Sequence, residues 1–158
     1  MPHIHPDIDF TVGALIVHDG RVCLVHHKQL NKWLEPGGHI ELNENTDQAL
    51  FREIEEETGL AVDDLEALSE RPMIAGRHPP EFRSLFRPQW VNIHPINETH
   101  RHVGFFYVFR AKHATLQLAA SEHHAIRWAT LSEIRDPSLS MPDDLRWYAE
   151  EAIRIATS

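Results

Sequence analysis

Cysteine is almost missing from this sequence: Cys23 stands alone among 158 residues. A single thiol excludes an intramolecular disulfide framework and fits a reducing compartment. Long apolar runs are missing as well, and none approaches the roughly 18–20 residues that a membrane-spanning helix needs. The opening residues, Met1-Pro2-His3-Ile4-His5-Pro6-Asp7, carry neither a basic nor an apolar stretch, so no secretory leader and a cytoplasmic location are expected. Basic charge is scarce, with 15 Lys plus Arg against 24 Asp plus Glu and a formal net charge of −9 when the 13 histidines are neutral. Such an excess argues against a nucleic-acid duplex or an anionic membrane as the main partner. What is present, 42% hydrophobic and 25% charged residues, excludes disordered and fibrous classes. The length suits one domain over residues 1–158, able to bury a core without staples.

Two short apolar runs, Phe10 to His18 and Arg21 to His27, flank Asp19-Gly20, the strongest local signal for a hairpin because a type I′ turn needs positive φ. Cys23 then falls in a strand as a small core residue. A helix is expected from about Asn45 to Thr58, with Asn45 as N-cap, Gln48 completing a capping box and Gly59 as the stop. Leu50, Phe51 and Ile54 give that helix an apolar arc. Further strands are expected at Trp90 to Ile93, Val103 to Arg110 and Ile126 to Ala129, and a short helix at Leu131 to Ile134 with Ser132 near its start. A last helix is expected from about Pro142 to Ala156 with Ser140 as a cap. Ser69 to Pro88, rich in Pro, Arg and Gly, reads as a mobile loop. This order is mixed α/β in a single domain.

The acids are unevenly spread. Between Glu44 and Glu57 stand Glu44, Asp47, Glu53, Glu55, Glu56 and Glu57, against one base, Arg52. On a helical wheel Glu53, Glu56 and Glu57 lie within about 100° of one another, beside the apolar arc, while Glu55 points away. Partly buried carboxylates about 5.5 Å apart would repel by roughly 3 kcal/mol at an effective dielectric near 20. Such a cluster wants a cation, and oxygen donors without Cys or His favour a hard ion such as Mg²⁺ or Mn²⁺. An acidic run can also be a plain solvated face, and the flanking residues decide between the two.

Upstream, Pro36-Gly37-Gly38 marks a tight turn. Together, Gly38, Glu44, Arg52-Glu53-Ile54, Glu56-Glu57 and Gly59-Leu60 match G-x5-E-x7-R-E-U-x-E-E-x-G-U, with U an aliphatic residue, in full. The chain therefore resembles the Nudix hydrolases (MutT-like). That resemblance implies an α/β/α sandwich with a mixed β-sheet, the box forming a loop-helix-loop. It also implies hydrolysis of a nucleoside diphosphate linked to a moiety X. By the same analogy Glu53, Glu56 and Glu57 are metal ligands, and Gly37 and Gly38 shape the loop and offer carbonyl ligands. Arg52 orients a box glutamate, Glu44 supports loop and helix, and Gly59 closes the motif. Asn43 stands where a glycine is common before Glu44, and asparagine tolerates the left-handed φ such a turn would use. The general base is expected to be Glu56 or Glu53; Glu122 is the candidate outside the box, its other reading being a solvated loop acid.

Other residues leave two readings open. Trp33 and Trp90 either stack on a base or pack in the core, whereas Trp128 and Trp147 read as structural. Arg77, Arg83 and Arg87 either clamp phosphate or lie solvated. His94, His100 and His102 invite zinc, and His102 could instead contact substrate phosphate. His123-His124 shares that ambiguity. The expected protein is a Mg²⁺- or Mn²⁺-dependent pyrophosphohydrolase of a small nucleotide-derived diphosphate, with a homodimer left open. The competing classes are a Nudix-fold binding or sensor domain without turnover and a zinc-binding histidine module. Diphosphate isomerisation, the third, is discounted because its active-site cysteine has no counterpart outside the strand-borne Cys23.

Overall fold

The computed structural model describes residues 7–69 and 84–158. Among these, eight strands join in one mixed sheet: β1 (Ile8–His18), β2 (Arg21–His27), β3 (Lys32–Leu34), β4 (Gly37–His39), β5 (Leu65–Ala67), β6 (Trp90–Pro95), β7 (Arg101–Ala111) and β8 (His123–Thr130). The helices are α1 (Thr46–Thr58), α2 (Leu131–Arg135) and α3 (Asp143–Thr157). The main path runs β3-β2-β1-β7-β5, with β4 on β1, β6 on β7 and β8 on β2. Only β1 and β7 pair in parallel, from Ile8↔Arg101 to Val17↔Arg110.

Alternation within the central strands builds both halves of the core. Leu15 and Val17 of β1, with Phe106 and Val108 of β7, face α2 and α3. Ala14 and Ile16, with Tyr107 and Phe109, face α1 through Ala49, Leu50 and Ile54. A strand covered on both faces needs apolar residues at every position, which explains the unbroken Ala14-Leu15-Ile16-Val17 run. The result is the expected α/β/α sandwich. None of the described helices is long and apolar enough to cross a membrane.

Several local expectations hold at the atomic level. Asp19 and Gly20 take φ of 47° and 70°, as the two-residue turn demands. The capping box of α1 is complete: Gln48 N–H donates to Asn45 Oδ1 and Asn45 N–H to Gln48 Oε1, both at 3.0 Å. Gly59, at φ 74°, ends the helix with its N–H on the Glu55 carbonyl. Cys23 is fully buried in β2, and burial, with Glu57 nearby, pushes its thiol far above the usual range.

Other expectations change. The cap of α3 is Pro142, without a side-chain cap bond, and the Ser140 carbonyl instead accepts from Trp33 N–H at 2.8 Å. Thr130 caps α2, and Ser132 stands near its start as expected. Trp147 is 54% exposed rather than core, because Leu145, Tyr148, Ala149 and Ala152 already fill the buried arc of α3. Asn43 needs no left-handed φ; Asp19 and Asn31 are the described non-glycine residues that have one. Strands β3, β4 and β5 were not anticipated, since three residues each are too few for a periodic pattern. Most of the Ser69–Pro88 loop, with Arg77 and Arg83, lies outside the described residues, as do His3 and His5.

Candidate active site

The box loop is laid down by β4, which pairs antiparallel with β1 through Thr11↔His39, Val12↔Gly38 and Gly13↔Gly37. Both glycines of β4 are required by close approach. A Cβ on Gly37 would overlap the Val12 carbonyl, and one on Gly38 would overlap the Glu53 carboxylate. Bare backbone at position 38 is thus what lets the α1 glutamate lie against the strand.

Arg52 organises the acids of α1. Its Nε and Nη2 form a fork on Glu44, at 2.6 Å to Oε1 and 2.9 Å to Oε2. Nη1 donates to Glu53 Oε1 at 2.7 Å and to Glu56 Oε2 at 3.2 Å, while Nη2 also reaches the His39 carbonyl at 3.1 Å. The guanidinium beside Glu44 holds that carboxyl below its ordinary range, and the carboxylates in turn raise Arg52. Glu53 goes the other way: burial lifts its pKa, Arg52 opposes the rise, and Glu57 and Glu56 add to it.

Glu57 is buried and pinned at both oxygens. Oε2 accepts from Gly37 N–H at 2.8 Å, and Oε1 lies 2.7 Å from His123 Nε2. His123 opens β8 and is itself buried, with its Nδ1 lacking a hydrogen-bond partner. Glu122, exposed beside it, brings a carboxylate oxygen within 4.8 Å of ligand atoms on Glu57 and His123. Three carboxylates, Glu44, Glu53 and Glu56, therefore converge on one guanidinium, and Glu57 stands beside them on Gly37 and His123. Burial with uncompensated negative charge fits a divalent cation held by hard oxygen donors.

A cleft of about 920 Å³ opens from this cluster. Gly38, Arg52, Glu53, Glu57 and Glu122 line its polar end, and Leu34, Phe106, Leu145 and Tyr148 supply an apolar end. Glu35 also lines it, half-buried, with its pKa pushed up to about 8 by burial and, less strongly, by Asp144 and Glu57. At neutral pH it is a protonated acid able to donate and accept. The sequence reading missed Glu35; its signal was an acid directly after the apolar pair Trp33-Leu34, next to the box.

The anticipated box residues thus meet in one place, and Glu122 joins them across the fold. His102 stands on the cleft rim with His39 and His94, its pKa lowered to about 4 by burial and by the neighbouring histidines. The two tryptophans follow the packing alternative. Trp33 lies against His26 and under Arg127, whose guanidinium carbon is 4.6 Å from the ring centroid. Trp90 stacks on Tyr148 at 4.9 Å, against the core shared with α3.

A model of the NUDIX domain matches residues 8–151. The chain belongs to the NUDIX family. Among curated proteins it is 26% identical over 121 residues to a probable DHNTP pyrophosphohydrolase of Lactococcus lactis, covering 73% of this chain and 62% of that one. It is 32% identical over 73 residues to putative nudix hydrolase 1 of Caenorhabditis elegans, covering 42% of this chain and 20% of that one. The chain thus spans under two thirds of the length of either relative. A NUDIX-family hydrolase structure from Clostridium perfringens superposes with a TM-score of 0.75 at 23% identity, over 94% of this chain and 97% of that one, which fixes the fold.

Proposed function

We propose that this NUDIX protein is a pyrophosphohydrolase that uses Mg²⁺ or Mn²⁺ to hydrolyse a nucleoside diphosphate linked to a further moiety. The observation that carries this reading is the set of box carboxylates gathered on Arg52 at the polar end of a cleft large enough for a nucleotide. The name of the Lactococcus lactis relative points to the same class of bond. A bound divalent cation would neutralise phosphate oxygens and lower the pKa of water.

Glu53, Glu56 and Glu57, with the Gly38 carbonyl, are the proposed ligands. Arg52 holds Glu53 and Glu56 in register, and Glu44 holds Arg52. His123 and the Gly37 N–H keep Glu57 from turning away. A carboxylate accepts the proton of the attacking water; Glu56 and Glu53 are the first candidates, and Glu122, exposed and close to Glu57, is the third. The apolar end of the cleft suits the organic part of the substrate, while Glu35 can recognise a polar edge there as both donor and acceptor. His102 and His39, on the rim, face the phosphate-bearing side.

The test is a panel of nucleoside diphosphate derivatives with Mg²⁺ or Mn²⁺, comparing wild type with Glu56→Gln. Wild type should release product and the variant should be slower by roughly 100-fold or more, the scale of a lost proton acceptor. Equal turnover by both proteins overturns the assignment. Binding of the same compounds by wild type without any turnover would support a sensor domain instead.

A further inference from the structure

Away from the box, three strands deliver histidines and one aspartate to a single point on the rim of the cleft. Asp9 and His102 are direct partners in the parallel β1–β7 ladder, and His39 sits opposite Thr11, two residues along β1 on the same face as Asp9. His100 enters just before β7, with its N–H anchored on Asn97 Oδ1 at 2.9 Å. The donor atoms meet closely: His39 Nε2 is 3.3 Å from His102 Nε2 and 3.5 Å from Asp9 Oδ2, and His100 Nε2 is 3.0 Å from the same Asp9 oxygen. One ligand atom each from Asp9, His100 and His102 lies within 4.8 Å of the others.

We propose that Asp9, His100 and His102 form a second metal site, for a borderline transition cation of the Zn²⁺ class, with His39 beside it. The spacing allows coordination. For metal–nitrogen bonds of about 2.0–2.1 Å, the edge of a tetrahedron is about 3.3–3.4 Å; His100 Nε2 and Asp9 Oδ2 are 3.0 Å apart, and the triad's other separations lie within 4.8 Å. The donor set matches as well. Two imidazoles and one carboxylate suit Zn²⁺, Co²⁺ or Ni²⁺, whereas the all-oxygen box cluster suits a hard ion. The site is also reachable, since the Asp9 side chain is 50% exposed.

Occupation would tie β1 to β7 at the rim. His39 links this point to the box, because its carbonyl accepts from Arg52. The inference does not depend on the hydrolase reading.

The test is Co²⁺ titration of the untagged, chelator-stripped full chain in excess Mg²⁺, which keeps the carboxylate cluster occupied. Wild type should bind one equivalent with the intense visible bands of four-coordinate Co²⁺, and Zn²⁺ should displace it and raise Tm. His100→Ala/His102→Ala should lose the bands and at least tenfold in Co²⁺ affinity. Glu122→Gln, which touches only the other cluster, should keep them. Asp9→Asn, at an exposed position, should weaken binding and shift the bands without unfolding, which covers a double variant that folds poorly. Absence of the bands in wild type, their persistence in both rim variants, or their loss in Glu122→Gln overturns the proposal.

Discussion

At the scale of single residues, the site depends on what Gly38 lacks and on what Glu35 keeps. A methyl group at position 38 would occupy the place of the Glu53 carboxylate. Gly38→Ala should therefore leave the fold intact by circular dichroism, because the Glu53 carboxylate can swing aside, and lower kcat/KM by roughly 100-fold through its misplacement. Glu35 keeps its proton. It ionises near the ordinary 4.5 when unfolded but near about 8 when folded. Between those values the unfolded chain has released a proton that the folded chain retains. Stability of the metal-free protein should then fall as pH rises through that window, by up to about 1.4 kcal/mol per pH unit, and level off above it. Denaturant midpoints across pH should show the slope in wild type and its loss in Glu35→Gln; equal slopes would mean that Glu35 is ionised in the fold.

At the scale of elements, the helix that bears the glutamates is held at both ends by local chemistry. Asn45→Ala removes one half of a reciprocal cap and should cost about 1 kcal/mol in urea unfolding. Such features were legible because they are written within a few residues: Asn45 and Gln48, Gly59 after Thr58, Asp19-Gly20 between two apolar runs. The box residues were equally legible, since their spacing alone sets Glu53, Glu56 and Glu57 on one face. Strands β3 to β5 were not, because their identity comes from the partner strand rather than from any pattern of their own. Trp147 misled for a related reason: helical spacing gives an arc, but the neighbours already filling that arc set its edge.

At the scale of the whole molecule, what the sequence concealed was juxtaposition. Glu35 looked like one more acid until burial in the cleft set it apart, and the rim histidines looked like a loop until β1, β4 and β7 were placed side by side. The pairing of Glu57 with His123 joins residues 66 positions apart. The parallel ladder between β1 and β7 reaches still further along the chain. Contacts of such long range form late, because loop closure comes before any gain from packing. During refolding, helical signal should therefore return before Mg²⁺ affinity does, as stopped-flow circular dichroism and a metal-indicator dye would report; simultaneous recovery would show the cluster to be self-sufficient. During synthesis the box emerges well before the residues that complete it. The buried Glu57–His123 pair thus acts as a timing device: Arg52 can gather Glu44, Glu53 and Glu56 early, but Glu57 is not held at both oxygens until His123 has left the ribosome.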